Sequence, residues 1–265
     1  MKKQYQDRDI LFEDLDEAAL PTALATMSNA TMNVLYHQTK KMMGRIVDYK
    51  ELRMIYACAM KEIKTKFDIL NTEFNLRYHR NPINSIQTRL KSTASIIEKL
   101  AKLNMPVDIE NVDEHIHDIA GVRVICSYID DVYLVAEALL KQDDITLVTR
   151  KDYIANPKEN GYRSLHLIVK VPVFLSERRL EMEVEVQLRT IAMDFWASLE
   201  HQLHYKTDFD GKDELVDELR RCAETISQTD NDMMKIRSKM ETLVDIPSED
   251  EILFERIRKL DTPIE

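Results

Sequence analysis

The chain reads as an α/β protein of the α+β kind: a mixed β-sheet flanked by helices, with helical additions at both ends. Three observations predict this. The run from Gly121 to Tyr128, almost wholly apolar apart from Arg123, has the length of a buried strand. From Glu181 to Arg189, Met182, Val184, Val186 and Leu188 alternate with Glu181, Glu183, Glu185, Gln187 and Arg189, so one face is apolar and the other polar. Elsewhere apolar residues recur every three or four positions, the helical period.

Taken in order, residues 1–30 form a polar, acidic extension. From about Thr31 to Asn75, residues such as Ile55, Cys58, Ile63, Phe67, Leu70 and Phe74 fit one or two amphipathic helices. Asn81-Pro82 interrupts them. A helix is predicted from Pro82 to Leu103, burying Ile86, Leu90, Ile97 and Leu100, and Met105-Pro106 ends it. The strand Gly121–Tyr128 and a helix from Asp130 to Lys141 come next. Strands follow at Ile145–Tyr153 and Tyr162–Phe174, then a turn at Ser176–Arg178 and the acidic strand 180–189. The last two strands read as a hairpin, and Thr190 to Tyr205 as a helix. From 212 to 264 the chain is helical and charged. Leu215, Leu219, Cys222, Ile226, Met233, Ile236, Met240 and Leu243 step by threes and fours, with Thr229 the one polar occupant. Such a heptad-like seam packs on its own domain or on another copy. The division is 1–30 extension, 31–76 N-terminal helices, 77–206 core and 207–265 C-terminal helices.

The 265 residues suit one large domain with additions, and a 44% hydrophobic share supplies a core. A net charge of -10 excludes a uniformly basic nucleic-acid binder but leaves room for a local basic patch. Cys58, Cys126 and Cys222 lack metal-ligand spacing and point to a reducing compartment. No apolar run is long enough to span a membrane, and the start has no hydrophobic signal region, so a cytoplasmic location is expected. With four glycines, and neither a GxGxxG nor a GxxxxGK[ST] pattern, any bound phosphates must be held by side chains.

Between Arg77 and Lys102 stand Arg77, Arg80, Arg89, Lys91, Lys99 and Lys102 against the single acid Glu98. On a helix Lys91, Ser95 and Lys99 share one stripe, with Arg89 a turn earlier beside it, an arrangement that suits a polyphosphate. Alone, such a face is more often merely solvated, and the same holds for an acidic strand face. If the strand carrying Arg123 lies beside the acidic one, Asp118 and Glu185 approach each other as a carboxylate pair suited to Mg²⁺. On the strand from Tyr162, the side chains of Tyr162, Ser164 and His166 share a face. Tyr162, and the guanidinium planes of Arg89 and Arg123, offer stacking surfaces for bases. His117-Asp118 hints at a metal phosphohydrolase, but the further ligands are missing upstream, where His37 is the only histidine before His79.

Several segments resemble the synthetase domain of the RelA/SpoT family, and within it the single-domain small alarmone synthetases. They are Arg89-Leu90-Lys91 with Ser95 and Lys99; Asp118-Ile119-Ala120-Gly121-Val122-Arg123; Tyr153-Ile154, Lys158 and Gly161-Tyr162-Arg163-Ser164-Leu165-His166; and Glu183 to Thr190 followed by Met193 to His201. The resemblance spans Arg77 to Lys206. It implies a nucleotidyltransferase-like sheet and transfer of pyrophosphate from ATP to the 3′-hydroxyl of GDP or GTP. By the family pattern Arg89 and Arg123 sandwich adenine, and Lys91, Ser95 and Lys99 hold the ATP phosphates. Asp118 and Glu185 bind Mg²⁺, and Glu185 is the catalytic base. Tyr162 stacks on guanine, Lys158, His166, Gln187 and Arg189 position the acceptor, and Asp194, Glu200 and His201 lie near it. Asp194 stands where some relatives have asparagine, and residues 84–88 differ from the allosteric segment of the product-activated subgroup. Neither a hydrolase domain nor the regulatory domains of the long members are visible, so synthesis without hydrolysis is expected. The seam and the family's small members together suggest a homotetramer. Regulatory binding of (p)ppGpp or single-stranded RNA is a further expectation. Two other readings compete: a toxin-like relative acting on adenine nucleotides or tRNA 3′ ends, and a catalytically silent RNA- or partner-binding module.

Overall fold

A computed structural model describes residues 29–78, 80–204 and 212–243. The extension predicted for 1–30, save its last two residues, and the helix predicted beyond 243 lie outside them. The chain opens with α1 (Asn29–Tyr78), β1 (Ile83–Leu90), α2 (Thr93–Lys102), α3 (Ile109–His115) and β2 (Ala120–Cys126). It continues with α4 (Ile129–Leu140), β3 (Thr146–Asp152), β4 (Leu165–Phe174), β5 (Arg179–Thr190), α5 (Ile191–His204) and α6 (Lys212–Leu243). The mixed α/β class is as expected. Among the described residues, no helix is long and apolar enough to cross a membrane.

One five-stranded sheet has the order β1-β2-β5-β4-β3. β4 and β5 form the expected antiparallel hairpin, and β2 pairs parallel with β5. The register aligns whole rows of side chains. Gln87, Arg123, Gln187, His166 and Lys151 stand side by side across all five strands. The neighbouring row is Arg89, Gly121 and Glu185. On the opposite face Val122, Val186 and Leu167 line up and are buried. That apolar face belongs to the main core, to which α1 contributes Leu52, Ile55, Ile63 and Phe67 and α4 contributes Val132, Val135 and Leu139. One side of the sheet is thus the core and the other carries the polar rows.

Three expectations are corrected. The helix predicted from Pro82 to Leu103 is a strand, a short turn and a helix. Ile86 and Leu90 are four residues apart, a spacing in phase with both a helix and a strand, so it does not discriminate between them. Strand pairing of β1 with β2 decides the outcome, and Ser92 caps α2 by accepting from the Ser95 N–H at 3.2 Å. The helix therefore starts at a new phase, burying Ile96 and Leu100 while Ile97 is exposed. Second, β4 begins at Leu165, not Tyr162. Ser164, just before it, is fully buried, donating to the Leu188 carbonyl at 3.2 Å and accepting from Arg189 Nε at 3.3 Å, so it meets the same guanidinium as Tyr162. Third, α3 had no counterpart in the sequence reading. It is capped by Asp108, which accepts from the Asn111 N–H at 2.8 Å.

Leu167 sits fully buried at one end of the apolar row, beside Val186. Leu167→Ala should lower the unfolding free energy by about 2–5 kcal/mol, read from urea denaturation as a lower midpoint at unchanged slope.

Candidate active site

The polar face of the sheet opens into a cavity of about 330 Å³. β1 supplies Gln87, Thr88 and Arg89, β2 supplies Arg123, β5 supplies Glu185 and Gln187, and Asp118 and Lys91 close it from the turns. Strand alternation accounts for Gln87 and Arg89, Gly121 and Arg123, and Glu185 and Gln187, while Thr88 and Val122 reach the cavity from between them.

Asp118 organises one half. Lys91 donates to one of its oxygens at 2.5 Å and Lys99 to the other at 2.7 Å. Burial pushes this carboxyl up, but the two lysine hydrogen bonds and charges overcome it and hold it below the usual range. The predicted stripe is therefore not quite realised. Lys91 precedes α2 and Lys99 lies on it, and both turn onto Asp118, while Ser95 pairs with the Ser92 hydroxyl at 2.9 Å. The Lys91 backbone is pinned on both sides: its N–H donates to Ile119 at 2.8 Å and its carbonyl accepts from Arg53 of α1 at 2.9 Å. Arg89 is exposed on β1, and Arg123 is half-buried on the neighbouring strand.

The other half is a continuous hydrogen-bonded set. Arg189 donates to the Tyr162 hydroxyl at 2.5 Å and to the Gln187 side-chain oxygen at 2.9 Å. The Tyr162 hydroxyl lies 2.8 Å from His166 Nε2, and His166 Nδ1 lies 3.3 Å from Glu185. His166 Nδ1 is the ring nitrogen that faces Glu185, and its hydrogen bond is one of those that hold that carboxyl low. Gln187 donates to the second Glu185 oxygen at 3.0 Å. Burial raises the Glu185 carboxyl and the nearby Asp118 charge adds to that, but His166 and Gln187 prevail and hold it below its ordinary value. Asp194 accepts from Arg123 at 3.3 Å and from Arg189 at 3.2 Å, bridging the two halves. Lys158 stands 4.8 Å from the centroids of both the Tyr153 and Tyr162 rings.

The structure thus brings together Arg123, Lys91, Lys99, Asp118, Lys158, Tyr162, His166, Glu185, Gln187, Arg189 and Asp194. Glu200 is peripheral, accepting from Asn160 at 3.3 Å, and His201 is exposed on α5. Sequence reasoning missed Gln87, Thr88 and Tyr153. Reading β1 as a helix hid Gln87, since only on a strand do Gln87 and Arg89 share a face.

A carboxyl held low in the folded state stabilises the fold above its unfolded pKa, and that stability is lost as pH falls through the folded value. In EDTA-treated protein, Asp118→Asn should therefore unfold more readily than wild type near neutrality, because Lys91 and Lys99 lose their counter-charge. The gap should close as pH drops below about 3.9, measured by urea unfolding at successive pH values.

Residues 88–210 match the model described as the region found in RelA / SpoT proteins. The GTP pyrophosphokinase YwaC of Bacillus subtilis (strain 168) is 45% identical over 194 residues, covering 73% of this chain and 92% of that protein. The GTP pyrophosphokinase YjbM of the same strain is 37% identical over 187 residues, covering 70% and 87%. Among solved structures, small alarmone synthetase 2 from B. subtilis aligns with a TM-score of 0.65 at 45% identity, covering 72% of this chain and 99% of that one. Small alarmone synthetase 1 from B. subtilis, bound to its product pppGpp, aligns with a TM-score of 0.66 at 34% identity, covering 73% and 98%. With a polar sheet face that joins the RelA/SpoT motif residues in one cavity, and with relatives matched over nearly their whole length, the chain belongs to the RelA/SpoT family.

Proposed function

We propose that the chain is a GTP pyrophosphokinase. It moves the β,γ-pyrophosphate of ATP to the 3′-hydroxyl of GDP or GTP, giving AMP and (p)ppGpp. The observation that carries this reading is the placement of an ionised carboxylate, Glu185, in the same cavity as the lysine pair on Asp118. Transfer of a phosphoryl-type group needs in-line positioning and charge neutralisation more than covalent catalysis.

A 3′-hydroxyl is a poor nucleophile near neutrality, so it needs a base within reach. Glu185 fills that role, because His166 and Gln187 keep it ionised and hold both its oxygens in place. Lys91 and Lys99 exchange Asp118 for the ATP phosphates, with Ser95 beside them at the first turn of α2. Arg89 and Arg123, on neighbouring strands, hold adenine between their planes. Tyr162 stacks on guanine, and that ring is already a cation platform, with Lys158 on it and Arg189 5.1 Å from its centroid. Lys158, His166, Gln187 and Arg189 then orient the acceptor, with Asp194 holding Arg123 and Arg189 in register and Glu200 and His201 at the margin.

Among the described residues no group of three or more His, Cys, Asp and Glu side chains could hold a metal on its own. The pair Asp118 and Glu185 fits Mg²⁺ nonetheless, since that ion takes one or two carboxylates and fills its remaining positions with water and substrate phosphate oxygens. When bound, Mg²⁺ supplies positive charge to the phosphates. The proposal extends to a homotetramer, supported by the exposed Met233, Ile236 and Met240 of α6, and to the cytoplasm, where its cysteines stay free thiols. Residues 77–206 form its synthetase core.

The test is transfer of label from γ-labelled ATP, with GDP, GTP, adenine nucleotides and tRNA supplied separately. Label should appear on GDP or GTP. Glu185→Gln should lower kcat by about 10²–10⁴-fold while leaving the KM for ATP nearly unchanged. EDTA should abolish transfer and excess Mg²⁺ restore it. Label on adenine nucleotides or tRNA alone would refute the acceptor assignment.

A further inference from the structure

The helix α6 is remote in sequence from the catalytic motifs, yet it touches both supports of the acceptor half. The first support is the loop carrying Lys158 and Tyr162. Gly161 in that loop has φ +88, a region side chains rarely adopt, and a Cβ there would lie 2.5 Å from the Ala223 Cβ and 3.3 Å from the Arg220 Cα. The loop backbone therefore rests directly on the helix. Arg163 ties the two together, donating to the Gly161 carbonyl at 3.1 Å and to the Ala223 carbonyl at 3.4 Å. Trp196 of α5 donates to the Leu219 carbonyl at 3.0 Å, and its ring lies 6.5 Å from that of Tyr162.

The second support is the junction of β5 and α5, where Arg189 and Asp194 flank Thr190. Thr190 is fully buried, and its hydroxyl accepts from the Met193 N–H at 3.1 Å, fixing the first turn of α5. The same hydroxyl donates to Asp230 of α6 at 2.6 Å. Asp230 is 7% exposed, a buried acid that the reaction chemistry does not use. Leu219, Ala223, Ile226 and Asp230 lie at steps of three and four, so one face of α6 makes these contacts.

We propose that α6 is a strut for the acceptor half of the site, with Asp230 as its positioning residue: Asp230 sets the Thr190 cap and so the placement of Arg189 and Asp194, while Ala223 seats the Tyr162 loop. The proposal rests on the pyrophosphokinase reading. The donor half stands on other contacts, through Arg53 of α1 and the lysines on Asp118. Disturbing α6 therefore acts first on the guanine nucleotide and reaches ATP only through the single Arg123–Asp194 contact.

Steady-state kinetics on the full chain test this. Asp230→Ala should raise the KM for GDP about tenfold, the scale of one buried hydrogen bond, with the KM for ATP changed less than about twofold. Asp230→Asn keeps a side-chain oxygen for the Thr190 hydroxyl and should restore the GDP value. Ala223→Leu, which crowds Gly161, should show the same split between the two substrates. Equal rises in both KM values, or failure of Asp230→Asn to rescue, would overturn the strut. Trp196 is the sole tryptophan and sits between α6 and Tyr162, so its fluorescence reads GDP binding without turnover. If wild type transfers no label to guanine nucleotides, the pyrophosphokinase reading fails by itself. The strut then stands if Asp230→Ala weakens GDP binding by that readout, and falls if it does not.

Discussion

Everything at the site depends on the parallel pairing of β2 with β5. It places Gly121 opposite Glu185 and Arg123 opposite Gln187, so a turn residue, Asp118, reaches a carboxylate more than sixty positions away in sequence. The register admits no slip. A shift by one residue would turn Glu185 into the core and Val186 into the cavity, exposing apolar surface and burying charge together. The core that fills the opposite face with Val122, Val186 and Leu167 is therefore what enforces the arrangement of the polar face. Stability and chemistry are two sides of one sheet.

Without ligands the site balances its own charges. Asp118 has two lysines, Glu185 has His166 and Gln187, and Asp194 has two arginines. Removing half of such a pair leaves a partly buried charge without compensation, which costs more than the pair itself contributes. On the pyrophosphokinase reading, an incoming triphosphate would offer the lysines an alternative anion, so phosphate binding would be an exchange of partners, with two ammonium groups set on one carboxylate moving together onto neighbouring phosphate oxygens.

The acidic strand was legible because nine residues alternate without error and a strand is the only element with that period. The basic segment was legible as chemistry but not as structure. Arg89 and Lys91 were singled out as cations, yet the four-residue spacing of Ile86 and Leu90 beside them fitted a helix as well as a strand, and only the hydrogen bonds offered by β2 decided. The C-terminal seam shows a different limit. The apolar register ran through Cys222, Thr229 and Met233, but the helix buries Ala223 and Asp230 and leaves Cys222, Thr229 and Met233 exposed. Side-chain size decided there. A small residue at 223 lets α6 approach the Gly161 backbone, a contact that hydrophobic periodicity does not encode.

The two halves of the cavity rest on different parts of the chain. The donor half hangs on α1, α2 and the turn before β2, while the acceptor half hangs on the loop before β4, on α5 and on α6. They meet at Asp194, where Arg123 and Arg189 share one carboxylate, and at Glu185, which faces Asp118 on one side and His166 on the other. A reaction between two nucleotides needs each substrate held by a rigid set of its own and both sets fixed to a common frame, because a displacement of about 1 Å between reacting atoms is enough to slow the step severely. Here the frame is the β2–β5 pair. The flanking helices can then tune each nucleotide separately without moving the atoms where the two must meet.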